Sequence, residues 1–234
     1  MPDSAPNPDL LRSLGKLVRG LSALFWGLPM ALIACVWIAY SQWLRSAGWM
    51  PPIVSTALLL YGLWQLAGFQ KQERVWRRAI DAAAILGLIN LGLSPFLFFS
   101  SRISNPFFTI MVDLLAICAL LFLASLNLVL KRLGAMLPDE ALRLETNQFT
   151  SLNLNLLIVI LLLSSLYFLL HLFPLVTESV LQMLPFWLSK LLNNLFQLSP
   201  FILVMLVLLP LAMTMALLWK TKEVILDSVF GASR

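Results

Sequence analysis

From Ser151 to Phe173 the chain carries no Asp, Glu, Lys or Arg, and the run is dominated by leucine (SLNLNLLIVILLLSSLYFLLHLF). A charge-free stretch of about 18 residues or more is read as a helix that crosses a bilayer. Further apolar runs cover Ser22–Trp43, Ile53–Phe69, Ala79–Ser100, Phe107–Leu130 and Pro200–Trp219. Transmembrane β-strands alternate apolar and polar residues over about ten positions. These continuous leucine-rich runs do not, so the expected fold is all-α: a polytopic membrane bundle of about six transmembrane helices. Composition agrees, with 60% hydrophobic and 12% charged residues, against about 25% charged in a soluble domain.

The organisation expected is an amphipathic cytoplasmic segment over 1–21, a six-span bundle over 22–219 and a cytoplasmic tail over 220–234. In the first segment Leu10, Leu11, Leu14, Leu17, Val18 and Leu21 recur at helical spacing, with Arg12, Lys16 and Arg19 on the other side. This helix either lies on an anionic membrane surface or packs as a lead-in under the bundle. No cleavable signal peptide is evident, since the first apolar run is too long and lacks a small-residue cleavage site. Two further surface helices are expected, in the fourth and fifth connections. The fifth, Pro174–Ser199, mixes Glu178, Lys190, Asn193 and Asn194 with many leucines, which suits an interfacial or re-entrant helix interrupted at Pro185.

Charge fixes an orientation. The net charge is +5 and the pI about 9.6, which in a soluble chain would suggest nucleic acid. Here the cations sit at the ends of apolar runs. Arg12, Lys16, Arg19, Lys71, Arg74, Arg77, Arg78, Lys131, Arg132, Arg143, Lys220, Lys222 and Arg234 fall on one side of a six-span topology, and only Arg45, Arg102 and Lys190 on the other. The positive-inside rule then places both termini in the cytoplasm of what is expected to be a bacterial inner membrane. Arg12, Lys16, Arg19, Lys71, Arg74, Arg77 and Arg78 form a basic surface expected to face anionic lipid, and no nucleic-acid partner is expected.

Polar residues inside the spans sort into two layers. Gln65, Asp81, Asn127, Asn153 and Asn155 fall toward the cytoplasmic end, where interhelical hydrogen bonding or a polar vestibule accounts for them. Asp113, His171, Arg102 and Glu178 fall toward the outer end. Asp113 lies ~9 Å below the start of its segment at about 1.5 Å per residue. An acid there is protonated, paired or hydrated, so these four form either a cation or proton site or a buried pair locking two helices. Ala79, Ala83 and Gly87, continued by Asn90 and Ser94, make a small-residue stripe that permits close helix packing.

Chemical motifs are missing. The sequence has no phosphate-binding loop, no HExxH, no paired-cysteine metal motif and no Gly-x-Ser-x-Gly elbow. Ser164 and Ser165 share a run with His171, which is the wrong arrangement for an intramembrane serine protease. Cys35 and Cys118 read as small buried hydrophobes, and no cofactor or metal is expected. The two three-span halves do not match in their breaker positions, so the inverted repeat common in transporters is not visible.

The segment Lys131–Asn155 (KRLGAMLPDEALRLETNQFTSLNLN) is the longest charged interval between apolar runs, and its charges nearly cancel. Pro138 is placed to open a short helix with Asp139 and Glu140 in its first turn and Leu137, Ala141 and Leu144 along an apolar stripe. Such a helix either displays a partner surface or docks beneath the bundle as a clasp, its acids near Arg74, Arg77 or Arg78. The first functional reading is a non-enzymatic subunit or scaffold whose cytoplasmic face engages a protein or anionic lipid. A small-solute, ion or proton-coupled transporter using Asp113 and His171 is the second, and an intramembrane enzyme the third.

Overall fold

The computed structural model describes residues 8–40, 48–69, 73–103, 105–136, 140–172 and 205–226. The expected interfacial segment over 175–198, with Glu178 and Pro185, therefore lies outside the described residues. So do Lys71 and the part of the tail beyond 226.

The described residues are helical, without a strand, and six helices are long and apolar enough to span a membrane. They are α1 (Pro8–Tyr40), α2 (Met50–Ala67), α3 (Arg74–Leu93) extended by the short α4 (Phe96–Ser100), α5 (Pro106–Met136), α6 (Glu140–Leu172) and α7 (Met205–Leu226). Local chemistry sets the ends. Gly48 takes φ +68°, a conformation open to glycine at no steric cost, and turns the chain into α2. That helix opens with Pro51 and Pro52, whose missing N–H groups would have had no intrahelical partner anyway. Pro95 interrupts α3 after Ser94, whose hydroxyl donates to the Leu91 carbonyl at 2.9 Å. The Asn105 side chain accepts the Phe107 amide at 3.0 Å and caps α5.

Two expected boundaries shift. The basic amphipathic segment is not a separate surface helix, because α1 runs unbroken from Pro8 through Pro29 to Tyr40. Leu17, Leu21, Leu24 and Leu28 form one continuous buried stripe, while Arg12, Lys16 and Arg19 remain exposed. Gly20 does not end the helix, since its bare backbone is what α2 packs against. A Cβ at Gly20 would come within 2.8 Å of the Gly62 carbonyl oxygen.

Likewise the helix of the fourth connection is the start of α6, which at about 1.5 Å per residue is about 50 Å long. That exceeds the ~30 Å hydrocarbon core, so its charged first turns project beyond the membrane. Leu144 is exposed. The buried face of α6 is set by Thr146, Thr150, Asn153, Leu157, Ile160 and Ser164, and a residue two positions before Thr146 points the other way. Leu144 of the expected apolar stripe therefore does not cover the bundle, while Leu137 and the Ala141 side chain lie outside the described residues.

Neighbouring helices pack in chain order: α1 on α2, α2 on α3, α3 on α5, and α5 on α6. The small-residue stripe of α3 is buried at Ala83, Gly87, Asn90 and Ser94. At Gly87 a Cβ would meet Leu60 of α2 at 2.9 Å and Phe122 of α5 at 3.4 Å, so α3 is clamped on both sides. α7 touches three helices. Trp219 meets Phe25 of α1 with ring centroids 5.5 Å apart, and Thr214 reaches both α5 and α6. The outward faces are Leu, Ile, Val and Trp, including Leu152, Leu162, Leu166, Ile85, Leu88 and Trp26. An apolar exterior of that extent is stable against lipid tails rather than water.

Candidate functional site

Asn127, Asn153 and Thr214 come from α5, α6 and α7, and each is 0% exposed. The Asn127 amide donates to the Leu123 carbonyl at 2.8 Å and to the Thr214 hydroxyl at 3.0 Å. Its carbonyl oxygen accepts from the Asn153 amide at 2.9 Å. That same Asn153 nitrogen lies 3.0 Å from the Thr214 hydroxyl and 3.2 Å from the Pro210 carbonyl. Two amide hydrogens serve three acceptors, so one is shared. Thr214 donates back one turn to the Pro210 carbonyl at 2.7 Å, the usual way a hydroxyl is satisfied within a helix.

These groups meet because of spacing. Thr146, Thr150 and Asn153 recur four and three residues apart, which keeps them on one face of α6. That face looks at Gly134 of α5, where a Cβ would sit 3.1 Å from the Thr146 methyl. The knot is incompletely satisfied. The Thr146 and Thr150 hydroxyls and the Asn153 carbonyl oxygen have no hydrogen-bond partner, nor does Ser164 further along the same face. At the rim of this seam Lys220 of α7 forms an ion pair with Glu145 of α6. Both side chains are more than a third exposed, so the pair fixes registry more than it adds stability.

The expected clasp set Asp139 and Glu140 near Arg74, Arg77 or Arg78, and the ion pair that the structure places here is a different one. Glu145 engages α7, not the basic second connection; Glu140 is exposed, and Pro138 and Asp139 lie outside the described residues. Of the inner layer, Asn127 and Asn153 are brought together, whereas Asn155 is turned outward. Gln65 donates to the Tyr61 hydroxyl of its own helix at 2.8 Å. Asp81 is exposed and 4.0 Å from Arg77 one turn away.

In the outer group, Asp113 is half-buried on α5 and Arg102 is exposed, with its guanidinium 4.3 Å above the Phe98 ring. Asp113 and Arg102 each hold an interaction partner. His171 belongs to the last turn of α6, with its side chain outside the described residues, as is Glu178. Arg12, Lys16, Arg19, Arg74, Arg77 and Arg78 are all exposed. Among the described residues no three His, Cys, Asp or Glu side chains gather as a metal site.

Reading the sequence missed Thr214, Thr146 and Thr150. The available signals were a threonine four residues after Pro210 and the Thr-x3-Thr-x2-Asn spacing that leads into the fifth apolar run. No protein-family model, curated protein or solved structure matches the chain. Fold and buried layer together define its class, an all-α multi-pass membrane protein.

Proposed function

We propose that the chain is a non-enzymatic subunit or scaffold of a membrane assembly. It works through its cytoplasmic side, in a bacterial inner membrane, with both termini in the cytoplasm. One observation carries this reading: three buried polar side chains from three helices are hydrogen-bonded to one another. Asn127, Asn153 and Thr214 tie α5, α6 and α7 together and are closed to solvent, which suits a fixed framework better than a path for solute. The exposed cations of α1 and α3 supply a rim that attracts anionic lipid, and the projecting first turns of α6 offer a protein partner a surface with Leu144 and Phe149 exposed.

Affinity purification in mild detergent tests the reading. A stable, stoichiometric partner is the expected result. A pH-dependent solute flux in proteoliposomes made from the purified chain alone would overturn it. That outcome belongs to the second reading, a small-solute, ion or proton-coupled transporter, which rests on the half-buried acid Asp113. Should flux be found, Asp113→Asn is expected to abolish it, and an unchanged rate removes Asp113 from the mechanism.

A further inference from the structure

The cytoplasmic ends of α1 and α2 leave an open cleft of about 460 Å³ lined by Lys16, Trp64, Gln65, Ala67 and Gly68. We infer that this cleft is a site for the headgroup of one anionic phospholipid. The cation is Lys16, whose stem crosses the end of α2: its Cδ lies 3.7 Å from where a Gly68 Cβ would be. Arg12 and Arg19, four residues before and three after, are exposed on the same side of α1. Between Leu10 and Gln72 the sequence contains no Asp or Glu, so within α1 and α2 Asp9, seven residues before Lys16, is the one carboxylate set against these cations.

The polar wall also carries a donor. Gln65 is oriented by its hydrogen bond to Tyr61, and its amide has a second hydrogen to offer. A helix C-terminus ordinarily disfavours an anion. Here the last turn is closed on itself, with the Gly68 and Phe69 amides donating to the Gln65 and Leu66 carbonyls.

Shape favours a lipid over a free anion. Trp64 is 76% exposed and sits beside Gln65 near the end of a span, the level where indoles prefer to lie. With Ala67 it gives the cleft an apolar flank. Inorganic phosphate would use only the polar wall of Lys16 and Gln65, whereas a phospholipid uses both walls.

The inference rests on the cytoplasmic placement proposed above but is read separately, by lipid retained and not by protein captured. Native mass spectrometry of the whole chain in neutral detergent is the test, titrated with phosphatidylglycerol, with phosphatidylcholine of the same acyl chains, and with inorganic phosphate. One retained phosphatidylglycerol, preferred over phosphatidylcholine, is expected. Lys16→Gln should weaken it about fivefold, the effect of one cation at an anionic surface, while Lys131→Gln, also exposed, leaves it unchanged. Trp64→Ala, which keeps every charge, should weaken phosphatidylglycerol too, and serves if Lys16→Gln fails to fold. Equal retention of the two lipids, or equal loss in Lys16→Gln and Lys131→Gln, overturns the site. Inorganic phosphate that binds as well as the lipid and displaces it overturns the lipid and leaves a free-anion site.

Discussion

Asn153 and Thr150 lie one turn apart on the same face of α6 and are equally hidden, yet substitutions should move stability in opposite directions. Asn153 joins three helices. Asn153→Leu removes those bonds and leaves the Asn127 carbonyl oxygen buried without its donor. Single interhelical hydrogen bonds in membranes are worth about 0.6 kcal/mol and at most about 1.7. With the stranded acceptor added, a loss of about 1–2 kcal/mol is expected, and Thr214→Val should approach it. The Thr150 hydroxyl has no partner to lose. Thr150→Val keeps the shape and removes an uncompensated polar atom, so a gain of about 1 kcal/mol is expected. Denaturant unfolding in mixed micelles measures all three. A loss in Thr150→Val would reveal that the hydroxyl holds a buried water.

Two glycines of α1 separate propensity from packing at the scale of one element. Gly15 has open space where a Cβ would go, so Gly15→Ala should stabilise the helix by up to about 1 kcal/mol. Gly20 is the point of closest approach to α2, and Gly20→Ala must push against the backbone oxygen of Gly62. Over-packing of that kind costs about 1–3 kcal/mol. Thermal unfolding of the pair should show a rise for the first and a fall for the second. The same element shows how much was legible beforehand. Leu17, Leu21 and the exposed cations opposite them were visible as period, so the helix and its buried face could be read. That it continues into the span could not, because the reason lies in Gly62, more than forty residues away. The small-residue stripe of α3 was readable because its positions repeat every three or four residues on one element. The site was less so. Asn127 and Asn153 stand out as amides in apolar runs, but their shared partner Thr214 is an ordinary helix residue until α7 is placed beside them.

Across the whole molecule, six spans could be read from hydropathy alone, since a bilayer imposes length and apolarity on each span separately. Pairwise choices could not, and the charged ends of α6 show why. Glu145 had several cations within plausible reach, and only the rotation of α6, set by Thr146 and Asn153, aims it at Lys220 of α7. What the global arrangement does commit to is sidedness. α1, α3 and α6 start, and α2, α5 and α7 end, at one face, and the exposed cations of α1 and α3 crowd that face. Asymmetry of Lys and Arg in short connections sets orientation, so this face should be cytoplasmic. Cys35 is half-buried and Cys118 buried, and both can be removed as Cys35→Ala and Cys118→Ala to give a silent background. In it, Ile103→Cys, at the α4–α5 turn and 44% exposed, should react with a membrane-impermeant maleimide in intact cells. Arg74→Cys and Arg132→Cys, both exposed at the opposite face, should react only once the membrane is permeabilised. The reverse pattern would invert the bundle, set the basic rim outside the cell and remove the basis for cytoplasmic contacts.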